Sequence, residues 1–332
     1  MKPKNEFIAI RDNKTKIYNL LEELVLMPRL KALEWSAITK QTPNMKIGYP
    51  GQHLASVITG VEGARTGARG DDLLDGSEVK SCSRVDQLDS CKDCKSKVLR
   101  IEDACPNCGS ENIKRMDDSK WLFSVKSEEE LELLTKTIDR IFLTIADYPN
   151  FSDNDFDTIR FQAFEIWNNS ERHEHFKDLM SNYYNKIFLE HISKNPNKTP
   201  APKNFWPYSY QFYLCNPLKV FNCIVTEANS NPKINIDYYI EPDYDRSLLT
   251  TEPMPTKLLS LDEIDTLINN VSEYTLSSQI VIGSYRELIN NRKAKKEIVR
   301  RLPFINETTR GYLDLRDTDN VSEAKTKYSR RK

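Results

Sequence analysis

The chain carries almost no net charge: 48 lysines and arginines against 49 aspartates and glutamates leave a formal charge of −1 over 332 residues. It therefore has no strong overall field to draw in a polyanion or a cationic partner, and any contact with nucleic acid must come from local basic patches. Long apolar runs are missing too. No stretch approaches the roughly 18 apolar residues of a membrane-spanning helix, and Met1-Lys2-Pro3-Lys4 leads into charge rather than into a secretory apolar core. A cytoplasmic protein is expected. Cysteine is sparse, seven in all, and no signal peptide accompanies it, which argues for a reducing compartment and against a disulfide framework. What is abundant is core material: 39% hydrophobic and 10% aromatic residues suffice for two or three domains.

The most informative stretch is Gly70-Asp71-Asp72-Leu73-Leu74-Asp75-Gly76-Ser77-Glu78-Val79-Lys80-Ser81. Asp75-Gly76 between two short extended runs favours a two-residue type I′ turn, with positive φ at both central positions. Without a bulge, such a hairpin opposes Leu74 to Ser77, Leu73 to Glu78, Asp72 to Val79 and Asp71 to Lys80. Asp71, Glu78 and Lys80 then converge on one face while Asp72 points to the other. A single bulge exchanges the two aspartates, which makes Asp72 the reserve candidate. Two carboxylates on one sheet face offer hard oxygen ligands to Mg²⁺, and an adjacent ammonium can position an attacking water or offset charge on a phosphate. The bland alternative is a solvated hairpin in which Glu78 and Lys80 are only an ion pair.

Asp…Glu-Val-Lys resembles the PD-(D/E)xK signature of restriction-type endonucleases. The seven-residue spacing of the acids and the glycine before the Glu strand, here Gly76, are similar to the Asp-(x)6-Glu-Leu-Lys pattern of MutH and Sau-type nucleases. Upstream, Lys46-Ile47-Gly48-Tyr49-Pro50-Gly51-Gln52-His53-Leu54 followed by Gly60 resembles the helix that precedes the acid in those proteins. The glutamate of that helix falls on Ala55, so a third acidic ligand is missing or is replaced by Gln52 or His53. Together with the cysteine insertion described next, the chain looks most like a MamI-type restriction endonuclease. That resemblance implies Mg²⁺ held by Asp71 and Glu78 with the main-chain carbonyl of Val79, Lys80 acting on the water, and products with 5′-phosphates.

Eleven residues after Lys80, Cys91-Lys92-Asp93-Cys94 and Cys105-Pro106-Asn107-Cys108 form two Cys-x₂-Cys knuckles. Each knuckle aims two thiolates at one point, so the pair predicts a closed, structural Cys₄ zinc site. Cys82, Cys215 and Cys223 read as small buried side chains. Lys92, Lys95, Lys97 and Arg100 crowd the ribbon and suit a phosphate backbone.

Elsewhere, residues 14 to 38 read as packed helices broken near Pro28, and Trp121 to Val125 as a strand. Ser127 starts a helix that runs to about Arg140, and 141 to 146 and 159 to 167 are further strands of one mixed sheet. Residues 170 to 193 are an amphipathic helix. His173 and His175 within it lie two residues apart, some 200° around the axis, which suits a solvated face and not a metal site. The aromatic run 204 to 213 either contacts bases or fills a β-rich core. Predicted helices at Leu261–Val271, Ser277–Asn290 and Ala294–Leu302 with Thr309–Arg316 suit either a winged helix-turn-helix or a solvated basic face. Arg292, Lys293, Lys295, Lys296, Arg300 and Arg301 supply its charge, and the basic tail 325 to 332 adds non-specific phosphate attraction.

The expected architecture is α/β: a restriction-endonuclease-like core at 1–90 and 119–170, with a mixed central sheet flanked by helices. A zinc-ribbon insertion follows at 91–118, a helix with an aromatic-rich β segment for DNA recognition at 171–255, and a mostly helical region at 256–332. The expected activity is Mg²⁺-dependent type II cleavage of specific double-stranded DNA by a homodimer. The alternatives are a nicking or structure-specific repair nuclease and a non-enzymatic zinc-ribbon DNA-binding protein.

Overall fold

The computed structural model describes residues 1–43, 47–65, 72–272 and 302–316. A long helix opens the chain in three consecutive segments, Asn13–Leu20, Leu21–Leu26 and Met27–Thr39, the middle one wound as a π-helix. Pro28 does not break it. The widened turn ends just before the proline, which then falls in the first turn of the last segment, where a missing N–H is tolerated. A second helix, Gly48–Thr59, follows.

The strands are β1 Glu78–Ser83, β2 Asp89–Cys91, β3 Lys97–Val98, β4 Ile113–Lys114, β5 Trp121–Phe123, β6 Arg140–Asp147, β7 Ile159–Trp167, β8 Lys203–Phe205, β9 Leu218–Thr226 and β10 Lys233–Tyr239. Five of them form the central sheet, in the order β1-β6-β7-β9-β10. β1 runs parallel to β6, whereas β6–β7 and β9–β10 are antiparallel, so the sheet is mixed as expected. All eight residues of β6 are buried. That explains why Arg-Ile-Phe-Leu-Thr-Ile-Ala-Asp is nearly continuous in apolar character: a strand covered on both faces has no solvent side to mark. Two of the five strands come from 218 to 239, beyond the stretch in which the sequence places the core. Trp121–Phe123 also departs from expectation, because β5 pairs with β8 in a separate two-stranded sheet. The Trp121 indole reaches the central sheet, donating to Thr144 O at 2.9 Å.

The chain divides into two compact units, Met1–Trp121 with Thr137–Trp167 and Lys219–Ser247, and Leu122–Lys136 with Asn168–Leu218 and Leu248–Lys332. In the second, Ser127 caps its helix by accepting from Glu130 N, as its sequence predicts. The helix of 174 to 194 forms, but His173 before it is fully buried with Nδ1 3.1 Å from Cys215 O, so the solvated face expected there does not hold for this residue. Phe205 and Phe212 are buried with Phe123 and Phe176, with ring centroids 5.4 to 6.1 Å apart. These aromatics are core, and the base-contacting alternative does not hold for them. The helix Leu261–Asn270 is present with a Ser260–Glu263 capping box, while the helices expected at 277–290 and 294–302, with their basic residues, lie outside the described residues except for Leu302. The expected wing is replaced by a short helix, Glu307–Arg310. Its Arg310 is buried and donates to Asn216 Oδ1 and Glu252 O, which leaves that cation no phosphate to meet.

One buried charge cluster in the first unit fixes the start of β1. Arg140 donates to Ser77 Oγ at 2.9 Å and pairs with Asp75 and with Glu165 Oε1 at 3.3 Å, while Arg246 reaches Glu165 Oε2 at 3.2 Å. Burial alone pushes the Glu165 carboxyl up, but Arg246 and Arg140 outweigh it and hold it below the ordinary value of 4.5. A carboxylate with a depressed folded-state pKa contributes stability that is complete above its unfolded value and is lost as pH falls through the folded one. Glu165→Gln should therefore cost about 3–5 kcal/mol at neutral pH, by leaving buried arginine charge uncompensated. It should also flatten the acid dependence below pH 4.5, as read from urea unfolding at several pH values.

Candidate active site and metal centre

The turn before β1 differs from the expected one. Gly76 N donates to Leu73 O at 2.9 Å and Leu73 N to Ser77 O at 3.2 Å. Within the turn only Gly76 has positive φ, at +83°. This is a three-residue loop, Leu74-Asp75-Gly76, closed by a glycine in the left-handed region, and not a two-residue type I′ turn. The cause is Asp75. Its Oδ1 accepts from Ser77 N at 3.1 Å while Arg140 holds its other oxygen, so its carboxylate is committed inward. The extra residue shifts the register by one and sets Leu73 against Ser77, which brings Asp72 level with Glu78.

Asp72, the reserve candidate, therefore lies level with Glu78. Its Oδ2 accepts from Val79 N at 2.8 Å and its Oδ1 from Gln52 Nε2 at 3.0 Å. Asp71 lies outside the described residues. On β1, Glu78 and Lys80 are two residues apart and so share a face; Glu78 is buried and Lys80 Nζ pairs with its Oε1. The structure thus brings together Asp72, Glu78, Lys80, the Val79 backbone and Gln52.

The helix reaches this site because of Gly51. A Cβ there would stand 2.1 Å from Ser81 Oγ and 2.8 Å from Thr144 Oγ1, so only glycine lets the helix lie against β1 and β6 closely enough for Gln52 to meet Asp72. Ala55, where the resemblance expects an acid, is fully buried. His53 is exposed beside the Tyr49 ring, with centroids 5.0 Å apart. Asp75 and Arg140, which hold the turn, gave no sign in the sequence: their pairing spans 65 positions.

The cysteine region folds as a small three-stranded sheet, β3-β2-β4. Its two knuckles are near-repeats. Lys95 N donates to Cys91 O and Gly109 N to Cys105 O, while Cys91 N donates to Ser96 O and Cys105 N to Ser110 O. Each knuckle turns through a left-handed residue, Lys95 in one and Gly109 in the other. The four Sγ atoms lie within 4.8 Å of one another, with Cys91–Cys108 at 3.7 Å and Cys94–Cys105 at 3.5 Å. A tetrahedron with Zn–S of about 2.3 Å has edges of about 3.8 Å, so this set fits zinc. Hydrogen bonds from the Ser96 hydroxyl and backbone bring the Cys94 thiol down to about 5, into the thiolate form a metal needs. Cys108 is pushed up to about 12: the Ser110 amide lowers it, but hydrogen bonds with Cys94 and the other thiols, together with burial, prevail. Among the described residues this is the one group of three or more cysteine, histidine or acidic side chains placed to hold a metal. Cys82, Cys215 and Cys223 are buried, as expected. Lys92, Lys95 and Lys97 are exposed, but Arg100 is not. It is spent on Asp89, with Nε to Oδ2 at 2.8 Å and Nη2 to Oδ1 at 2.9 Å.

An α/β unit with an acid and a lysine on an edge strand, a second acid before the turn that leads into it, and a Cys₄ ribbon inserted after it has the make-up of a restriction-type nuclease. The profile of the MamI restriction endonuclease family matches residues 34–257, more than half of the sequence, and the chain belongs to that family. It is similar to the type II restriction enzyme MamI of Microbacterium ammoniaphilum, 42% identical over 55 residues, which are 17% of this chain and 18% of that relative. No solved structure matches.

The ribbon makes a direct prediction. The reduced chain should take up one zinc ion per molecule, measured by elemental analysis after dialysis. Cys94→Ser should lose that ion and lower the melting temperature, as should chelator treatment of the unaltered chain.

Proposed function

We propose that the protein is a type II restriction endonuclease that hydrolyses phosphodiester bonds at a specific sequence in double-stranded DNA with Mg²⁺. The observation that carries this reading is the Asp72 carboxylate seated on the Val79 N–H, between Glu78 and Lys80. A carboxylate offers about four acceptor sites in all, so these two hydrogen bonds are compatible with its also meeting a cation. In a strand, the N–H and C=O of one residue point to the same side, so the Val79 carbonyl faces the side on which Asp72 sits. Asp72, Glu78 and that carbonyl form an all-oxygen donor set of the kind Mg²⁺ prefers. A divalent cation held there supplies Lewis acidity at the scissile phosphate and acidifies a water.

The remaining work falls to side chains of this protein. Lys80 orients the attacking water and offsets charge that develops on the phosphate. Gln52 donates to Asp72 and so fixes the orientation of its carboxylate. The Cys₄ ribbon holds a structural zinc. A palindromic target calls for a twofold homodimer, since protein symmetry mirrors site symmetry.

Purified protein with plasmid DNA and Mg²⁺ should give discrete double-strand ends, and EDTA should abolish cutting. Asp72→Asn, Glu78→Gln and Lys80→Ala should each slow cleavage at least about 10²-fold, with folding by circular dichroism and DNA binding retained. Asp71→Asn should leave cleavage near normal. The acid assignment fails if Asp71→Asn is dead and Asp72→Asn active. A wild-type chain that cuts no DNA with Mg²⁺ or Mn²⁺ ends the nuclease reading.

A further inference from the structure

The helical segment Met27–Thr39 is turned inside out. Its buried side chains are Arg29, Leu33 and Ser36, two of the three polar. Arg29 is bonded to Asp86 and to Ala228 O, and the Ser36 hydroxyl to Gln41 O. Its outward face carries Met27, Trp35 and Ile38, with Trp35 63% and Ile38 72% exposed, and Leu24, within the π-helical segment before it, is 43% exposed. A solvent-facing helix shows the reverse pattern, so this apolar stripe on a surface helix marks an interaction site.

We propose that the stripe binds the same stripe on a second copy of this chain, in antiparallel array across a twofold axis. The argument is charge. Met27, Lys31, Glu34, Trp35 and Ile38 fall at i, i+4, i+7, i+8 and i+11 and so share one face. The face holds a single cation and a single anion, Lys31 and Glu34, side by side and paired within the chain at 2.8 Å. An antiparallel copy with its axis between residues 32 and 33 sets Lys31 of each chain against Glu34 of the other, and Met27 against Ile38, with the two Trp35 rings flanking the axis. A twofold interface must be complementary to itself, and one positive and one negative group straddling the centre satisfy that. A foreign partner would impose no such balance. The stripe from Met27 to Ile38 is about 17 Å long at 1.5 Å per residue, and it forms the apolar centre of the interface, where aromatic anchors and few charges are favoured. This inference deepens the reading of a homodimeric nuclease by naming where the copies meet, yet it is read out by mass and not by cleavage.

Sedimentation equilibrium of the full chain should show a monomer–dimer equilibrium. Trp35→Glu should raise its Kd at least about tenfold with an unchanged circular dichroism spectrum and melting temperature. A charge-exchange pair adds a readout that misfolding cannot imitate. Lys31→Glu alone and Glu34→Lys alone should each weaken self-association, because like charges then face each other. A mixture of the two variants should recover a dimer, now a heterodimer whose exchanged charges attract. A chain monomeric at every concentration overturns the proposal, as does a dimer indifferent to Trp35→Glu and to both charge variants. Loss of cleavage with this pattern intact would count against the nuclease chemistry and leave the interface standing, whereas the converse would do the opposite.

Discussion

Arg140 is the group on which the rest of the first unit depends. A guanidinium buried at the first residue of β6 must find acceptors, because leaving such a charge unpaired costs several kcal/mol. It finds the Ser77 hydroxyl and the carboxylates of Asp75 and Glu165. Two of these lie in the turn that launches β1, the third on β7. One side chain therefore locks the turn to the sheet at the step where Glu78 takes its place beside Ile141. With Asp75 drawn inward, the loop has to be three residues long, and a three-residue loop brings Asp72 level with Glu78. The placement of the acids thus follows from a buried ion cluster built on Arg140, Asp75 and Glu165.

The position of β1 at the sheet edge carries the next step. An edge strand leaves alternate N–H and C=O groups without a neighbouring strand, which is a liability unless something covers them. Here the Asp72 carboxylate covers the Val79 N–H, and the same outward orientation presents the Val79 carbonyl beside it. A residue in the middle of a sheet would have both groups committed to its neighbours and none to offer a ligand. Gly51 completes the arrangement from the other side by letting the helix come close enough for Gln52 to hold the second oxygen of Asp72.

Much of this was legible in the sequence, and the gaps have physical causes. β6 and β7 announced themselves through β-branched and aromatic content, and Ser127 through its capping pattern, because each signal is local. The Cys₄ group was legible because the ligand spacing within each knuckle nearly determines its geometry. The length of the turn before β1 was not legible: it depends on Asp75, which Arg140 holds from 65 positions away. The same holds for β5, whose composition suits any sheet, and for β9 and β10, which return to the central sheet after a long excursion. His173 illustrates the limit in reverse. Helical spacing gave its direction relative to His175 but not which side was covered, and its partner, Cys215 O, lies 42 residues on.

The ribbon shows how little basic residues reveal before their partners are known. Asp89 is fully buried and receives Arg100, Arg115 and the Met116 amide, while Arg100 also stands over Phe156 with its centroid at 4.7 Å. That network ties the ribbon's base to the residues that follow β6 and consumes two of the region's cations. Charges spent this way cannot also neutralise phosphates, since moving either arginine to solvent would strand Asp89 in the interior. Of the cations near the knuckles, Lys92, Lys95, Lys97 and Lys114 are the ones left at the surface. In a chain with a net charge of −1, affinity for a polyanion has to be assembled from small exposed groups of this kind. Under the proposed nuclease function, such binding would be strongly salt-dependent, with sequence discrimination left to groove contacts rather than to the overall field.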